Sequence, residues 1–134
     1  MLYGGIRINR STIRRVEMGR AIEFRCWNAA SSTMETWDKM VELGKIHLVA
    51  KNAHPYQVMQ FTGLFDCNNA KIFEGDIVRD HVGVGEVQYS DKKASFKVNY
   101  HDGFAKWFID YNLRGEREYI EVIGNIHQNP ELLS

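Results

Sequence analysis

Short runs of alternating apolar and polar residues, separated by turn-forming residues, constrain the fold of this chain more than any other feature. Residues 60–78 are the clearest case, because a strand-like run leads into a polar turn at 66–69 and then into a second run entered through Gly75 and Asp76. Period-two alternation is typical of strands, and Asn, Asp and Gly supply the turn conformations between them. The pattern therefore predicts a mainly β protein.

The second half of the chain predicts a small barrel. Five short strands follow Gly75, with turn signals at roughly the 8–12-residue spacing of barrels and sandwiches. They fit an SH3-like barrel over about residues 72–127, and an OB-like barrel is the alternative. The N-terminal half predicts a β-meander packed on that barrel. Its strands are expected at residues 22–27, 33–37, 45–50 and 56–61.

Two segments depart from this pattern. Residues 38–43 show no stable period, and we expect a loop or a short helical turn there. Residues 130–133 are predicted to form one helical turn, because proline is favoured at the first helical position.

Composition limits the class of protein. The chain has 134 residues, 44% of them apolar and 25% charged, which suits one soluble domain with its own core. No apolar run approaches the roughly 20 residues that cross a bilayer, and the basic N-terminus lacks the apolar segment of a signal peptide. Cys26 and Cys67 share no metal-binding spacing, so we expect reduced thiols, the first in the core and the second in a turn. These features predict a cytoplasmic protein.

The N-terminal segment differs from the rest in charge. Arginines concentrate there, whereas the remainder is acidic. A basic arm can bind nucleic acid. However, residues 14–17 can be encoded by a purine-rich ribosome-binding sequence at normal spacing before Met18. We therefore expect translation to start at Met18, residues 1–17 to be an upstream-translated or disordered head, and residues 18–134 to form one domain.

Residues that could support catalysis are scattered. Asp80–His81 and His101–Asp102 could together supply a metal-dependent enzyme with ligands, but their position near turns favours surface roles. Glu74 and Asp76 flank Gly75, so we expect them to fix the turn by accepting backbone N–H groups. We predict no catalytic residue, no metal ligand and no cofactor.

Aromatic residues and lysines alternate in the barrel region, a combination used to bind single-stranded nucleic acid. Core filling by the aromatic residues, with solvated lysines, fits the alternation and the acidic body better. The three tryptophans nevertheless exceed the needs of a small core, and some are predicted to anchor an interface. The predicted binding surface consists of Trp27, Trp37, Tyr89, Tyr100, Lys106 and Trp107.

Three blocks, at residues 23–27, 60–78 and 119–133, resemble the YopX family of bacteriophage and prophage proteins. Asn69 and Ala70 depart from the family's usual glycine and charged residue, and residues 35–55 are unusual. Because Asn tolerates positive φ, the turn should survive. The resemblance implies a small, mainly β phage protein of the bacterial cytoplasm, with no catalytic residues to transfer and a tendency to form oligomers.

These observations together favour a non-enzymatic phage accessory protein that acts by binding or assembly and forms a homo-oligomer, with its protein partner unknown and no membrane involved. A nucleic-acid-binding module is the first alternative. A metal-dependent enzyme built around His81 and His101 is the second.

Overall fold

The computed structural model describes residues 2–3, 6–7, 20–108 and 119–134. The strands are β1 (Leu2–Tyr3), β2 (Ile6–Arg7), β3 (Phe24–Asn28), β4 (Thr33–Glu35), β5 (Tyr56–Phe65), β6 (Lys71–Phe73), β7 (Asp76–Arg79), β8 (Val84–Ser90), β9 (Ser95–Tyr100), β10 (Ala105–Trp107) and β11 (Glu121–Asn125). The helices are α1 (Trp37–Glu42), α2 (His47–Lys51) and a 3-10 helix (Pro130–Leu133), the last as predicted. Apart from the paired strands β1 and β2, the head predicted over residues 1–17 lies outside the described residues.

The second half forms a five-stranded antiparallel sheet in the order β10-β9-β8-β7-β11. Four strands follow one another as a meander, and β11 returns to pair with β7, with Val122 opposite Val78. The sheet curls into a half-barrel, which confirms the mainly β, barrel-like prediction.

The main core lies on the concave face of this sheet. Val87 pairs with Val98, and Gly85 pairs with Tyr100, so alternate residues of β8 and β9 point inward. Complete burial of valine-sized side chains stabilises the fold by about 1.5–3 kcal/mol each. Gly85 is required here, because a Cβ atom would lie 2.7 Å from Val98 Cγ1 and 2.9 Å from the Asn99 carbonyl oxygen.

The first half forms a four-stranded sheet in the order β4-β3-β5-β6. The prediction of a strand at residues 45–50 is wrong, since most of this segment belongs to α2. Ile46 is exposed and no residue of α2 is fully buried, so the alternating residues of this segment do not form a buried strand face. Asn52 ends α2 in the left-handed conformation, and its side chain accepts a 3.0 Å hydrogen bond from Val58 N.

Residues 38–43 also form regular structure, because α1 covers most of them. Thr36 caps this helix by accepting a hydrogen bond from Lys39 N. Within the helix, the side chain of Met40 is fully buried. Of the two structures expected for residues 38–43, a loop or a short helical turn, the structure contains the helical one.

The turn at residues 66–69 connects the two sheets. Asp66 Oδ1 accepts hydrogen bonds of 2.8 Å from Asn68 N and Ala70 N, while Oδ2 accepts one of 2.9 Å from Val122 N on β11. Asn69 has φ of +63°, so the expected tolerance of asparagine is confirmed. One buried carboxylate thus shapes the β5–β6 connection and attaches it to the five-stranded sheet.

None of the helices among the described residues is both long and apolar enough to span a membrane.

Candidate functional site

The six residues predicted as a binding surface do not form one surface. Trp27 lies on β3 and stacks on His127, and Trp37 lies on α1 and packs against Phe24 at 5.9 Å. Tyr100 is only 5% exposed and belongs to the core. Its ring fills the concave face of the sheet, so a partner cannot reach it.

The register between β9 and β10 separates the remaining predicted residues. Lys106 is opposite Val98, whereas Trp107 is opposite Lys97, so the two neighbours point to opposite faces. Tyr89 is opposite Phe96 at the end of the inner face, where it is 42% exposed. Of this set, only Trp107 lies on the convex face of the five-stranded sheet.

Two lysines cover the ring of Trp107. Lys93 Nζ lies 4.6 Å from the ring centroid and Lys97 Nζ lies 5.6 Å from it. Both distances fall within the range of cation–π attraction. We call Lys93, Lys97 and Trp107 the Trp107 face.

Another surface lies at one end of the same sheet, where the β7–β8 turn, the β9–β10 turn and the entry to β11 meet. Three large apolar side chains project there: Val82 is 47% exposed, Phe104 55% and Tyr119 65%. The ring of Tyr119 contacts His81, the neighbour of Val82, edge to face. We call Val82, Phe104 and Tyr119 the turn-end patch. None of its three residues is among those predicted from the sequence to bind, although bulky apolar residues inside polar turns are a recognisable signal.

Hydrogen bonds hold the two turns of this patch in place. Asp80 Oδ1 accepts bonds from Val82 N at 2.9 Å and Gly83 N at 3.1 Å. The Tyr100 hydroxyl donates to the other oxygen of Asp80, and the Tyr100 ring stacks on Phe104 at 6.0 Å. Val82 and Phe104 therefore stand on turns whose conformation is held by side-chain contacts.

A buried ion pair joins the two sheets elsewhere. Arg25 Nη2 on β3 donates to Asp76 Oδ1 on β7 at 2.7 Å, with the side chains only 13% and 2% exposed. Asp76 Oδ2 accepts from Phe73 N at 2.7 Å, and Glu74 Oε1 accepts from Gln60 N at 3.3 Å, so both carboxylates bind backbone N–H groups as predicted. Burial raises the pKa of Asp76, and the charge of Arg25 opposes that rise.

A cleft of about 320 Å³ lies between residues 57–59 of β5 and residues 86–89 of β8. His127 forms part of its wall and stacks on Trp27, with ring centroids 5.3 Å apart and planes 11° apart. Burial lowers the pKa of His127, and the nearby charge of Arg25 lowers it further. The imidazole therefore stacks as a neutral ring near neutral pH.

Histidines and cysteines of the described residues do not converge. In residues 20–108 and 119–134, no group of three or more His, Cys, Asp or Glu side chains could hold a metal ion. His81 and His101 occupy exposed positions in different turns. Cys26 is buried and Cys67 exposed, both as free thiols in the positions expected, and burial with the charge of Glu35 raises the pKa of Cys26.

Comparisons with known proteins identify the family to which the chain belongs. A family model described as YopX protein matches residues 23–134. The crystal structure of protein EF1440 from Enterococcus faecalis is similar in fold, with a TM-score of 0.52 and 24% identity over 85% of this chain and 99% of that one. A search of curated proteins gives no significant match. Because the family model covers most of the chain, including both sheets, this protein belongs to the YopX family.

Proposed function

We propose that this protein is a non-enzymatic accessory protein of a phage or prophage, and that it acts in the host cytoplasm by binding and by assembling with copies of itself. The turn-end patch is the observation that carries the proposal. Val82, Phe104 and Tyr119 are each about half exposed or more. Clusters of exposed apolar side chains with polar rims are typical of interaction sites.

The patch has the energetic properties of an interface anchor. Aromatic side chains supply most of the binding energy in many interfaces, and two of the three residues are aromatic. Because Asp80 and Tyr100 fix the turns before binding, little conformational entropy remains to be lost on association.

Self-association is compatible with the charges at the rim. Arg79 and Glu121, which pair at 3.1 Å, place both signs of charge next to the patch. A patch with both signs can face a second copy of itself across a two-fold axis without net repulsion.

The absence of an enzymatic role is inferred from how the buried ionisable groups are used. Asp66 accepts three backbone hydrogen bonds, and Asp76 binds Arg25 and Phe73 N. Both carboxylates therefore serve the fold and are not placed to exchange protons with a substrate. The raised pKa of Cys26 keeps its thiol protonated, which is the opposite of an activated nucleophile.

Size-exclusion chromatography with light scattering on the full chain tests the proposal. We expect the wild type to form an oligomer and the double variant F104S/Y119S to be monomeric with an unchanged circular dichroism spectrum. Leu43→Ser is the control. Leu43 is an apolar residue that is 52% exposed, but it lies in the first half of the chain and outside the patch. A wild type that stays monomeric at high concentration, or a double variant that still assembles, would contradict the proposal.

A further inference from the structure

We propose that the Trp107 face binds single-stranded nucleic acid, with the indole of Trp107 as a base-stacking platform and Lys93 and Lys97 as phosphate-binding cations. This inference goes beyond the proposed assembly function and concerns a different surface. It rests on the positions of the three side chains on the convex face of the sheet.

The sheet register builds the platform. Trp107 on β10 is opposite Lys97 on β9, and Lys97 is opposite Gln88 on β8, so these three side chains line one face. The second lysine comes from the β8–β9 turn, where Lys93 N donates to Ser90 Oγ. A cation from a strand and a cation from a turn therefore converge on one ring.

The lysines of this face keep their charge available. Within residues 20–108 and 119–134, the ion pairs of the sheets engage Lys45 and Lys71, whereas Lys93 and Lys97 contact the Trp107 ring. The cross-strand neighbours of Lys97 are an amide and an indole, neither of which is acidic. No residue directly opposite Lys97 therefore neutralises its charge, and Glu86 lies one pair further along the same face, opposite Asn99.

Binding of a nucleic acid would replace the lysine–indole contacts with stronger ones. A cation–π contact at an exposed site is weaker than the stacking of a base on an aromatic ring. When a base covers the indole, the flexible ammonium groups can turn to the flanking phosphates and release counterions. The face thus holds both components of a single-strand site before the ligand arrives.

A single strand is the expected ligand rather than a duplex. Stacking on one indole requires an unpaired base, because bases in a duplex are already stacked on each other. One ring with two cations contains no fixed array of donors and acceptors to read base edges. We therefore expect binding that depends on strand state and salt, with little sequence preference.

Fluorescence anisotropy of a labelled oligodeoxythymidine of about 16 nucleotides, near the upper site size of one such platform, provides the test on the full chain. At about 50 mM salt, we expect Trp107→Thr to weaken binding roughly 5- to 150-fold, the range for loss of one stacked base, and Trp107→Phe to recover most of it. Trp37→Phe is the control at a tryptophan outside the face. Circular dichroism verifies that each variant folds.

The salt dependence separates the roles of the lysines. Each lost phosphate contact reduces the salt slope by about 0.7 for a single strand, so K93Q/K97Q should reduce it by about 1.4. Lys39→Gln, in α1, should leave the slope unchanged. Three results would each overturn the inference: no oligonucleotide binding, equal affinity for a duplex, or equal binding by Trp107→Thr and the wild type. The third result would place the binding site elsewhere, such as in the basic N-terminal segment.

Discussion

The ion pair between Arg25 and Asp76 gives a quantitative test of how the two sheets are held together. Arg25→Met keeps an unbranched stem that can still pack near Phe73, but it removes the charge. Loss of one partner from a buried pair costs about 3–5 kcal/mol, because the other charge stays buried without compensation. Since the Arg25 side chain is 13% exposed, we expect the lower end of this range, about 3 kcal/mol near neutral pH.

The cost should depend on pH with a definite sign. The pKa of Asp76 is raised by burial, and it rises further when the opposing charge of Arg25 is removed. A group with a raised pKa in the folded state contributes stability that is fully present below its unfolded-state pKa and lost as the pH rises through the folded-state pKa. The destabilisation of Arg25→Met should therefore shrink as the pH falls from neutral through the raised folded-state pKa of Asp76 towards the ordinary value of 3.8. Urea unfolding of variant and wild type at each pH measures it.

A second substitution isolates the uncompensated charge. R25M/D76N removes both charges, while the amide oxygen can still accept the hydrogen bond from Phe73 N. We expect this double variant to be about 2 kcal/mol more stable than Arg25→Met near neutral pH. Arg79→Met breaks an exposed pair and should cost less than about 1 kcal/mol. A pH-independent penalty, or a double variant no more stable than the single one, would show that Arg25 does not compensate a buried charge on Asp76.

Three further predictions concern stability and can be checked by urea unfolding. Gly85→Ala should cost about 1–3 kcal/mol, because the new methyl group would overlap Val98; a neutral substitution would contradict the packing described. Asp66→Ala should cost about 2–3 kcal/mol by leaving backbone donors, including Val122 N, without an acceptor, and wild-type stability would show that the carboxylate does not join the sheets. His127→Phe should reduce the loss of stability on acidification. The lowered pKa of His127 means that its contribution is present above its ordinary pKa and disappears as the pH falls through the folded-state pKa; an unchanged pH profile would count against this.

Local patterns predicted much of the fold. The alternation in β8 and β9 and the turn chemistry at residues 66–69 depend on neighbours in sequence. These strands and the Asp66 turn could therefore be predicted from the sequence alone. Residues 45–50 were not, because the alternation of Ile46, Leu48 and Ala50 resembles a strand while no sheet edge receives it. The alternation alone does not show that the segment has no partner strand and remains largely unburied.

The surfaces depended on long-range contacts. Register decides that Lys106 points inward and Trp107 outward, and the turn between β9 and β10 sets that register. Pairing of Arg79 with Glu121 brings Tyr119 to the β7–β8 turn, across more than 40 residues of sequence. The turn-end patch therefore emerges only when the fifth strand closes the sheet, although the apolar character of its side chains is visible in the sequence.

Hydrogen exchange, measured by mass spectrometry on the full chain at low and at high protein concentration, addresses self-assembly through the turn-end patch most directly. We expect slower exchange at high concentration in residues 81–83 and 101–104, with no change in residues 41–46, which are mostly exposed but remote in sequence. Identical exchange at both concentrations, or protection that appears in residues 41–46 instead, would contradict it.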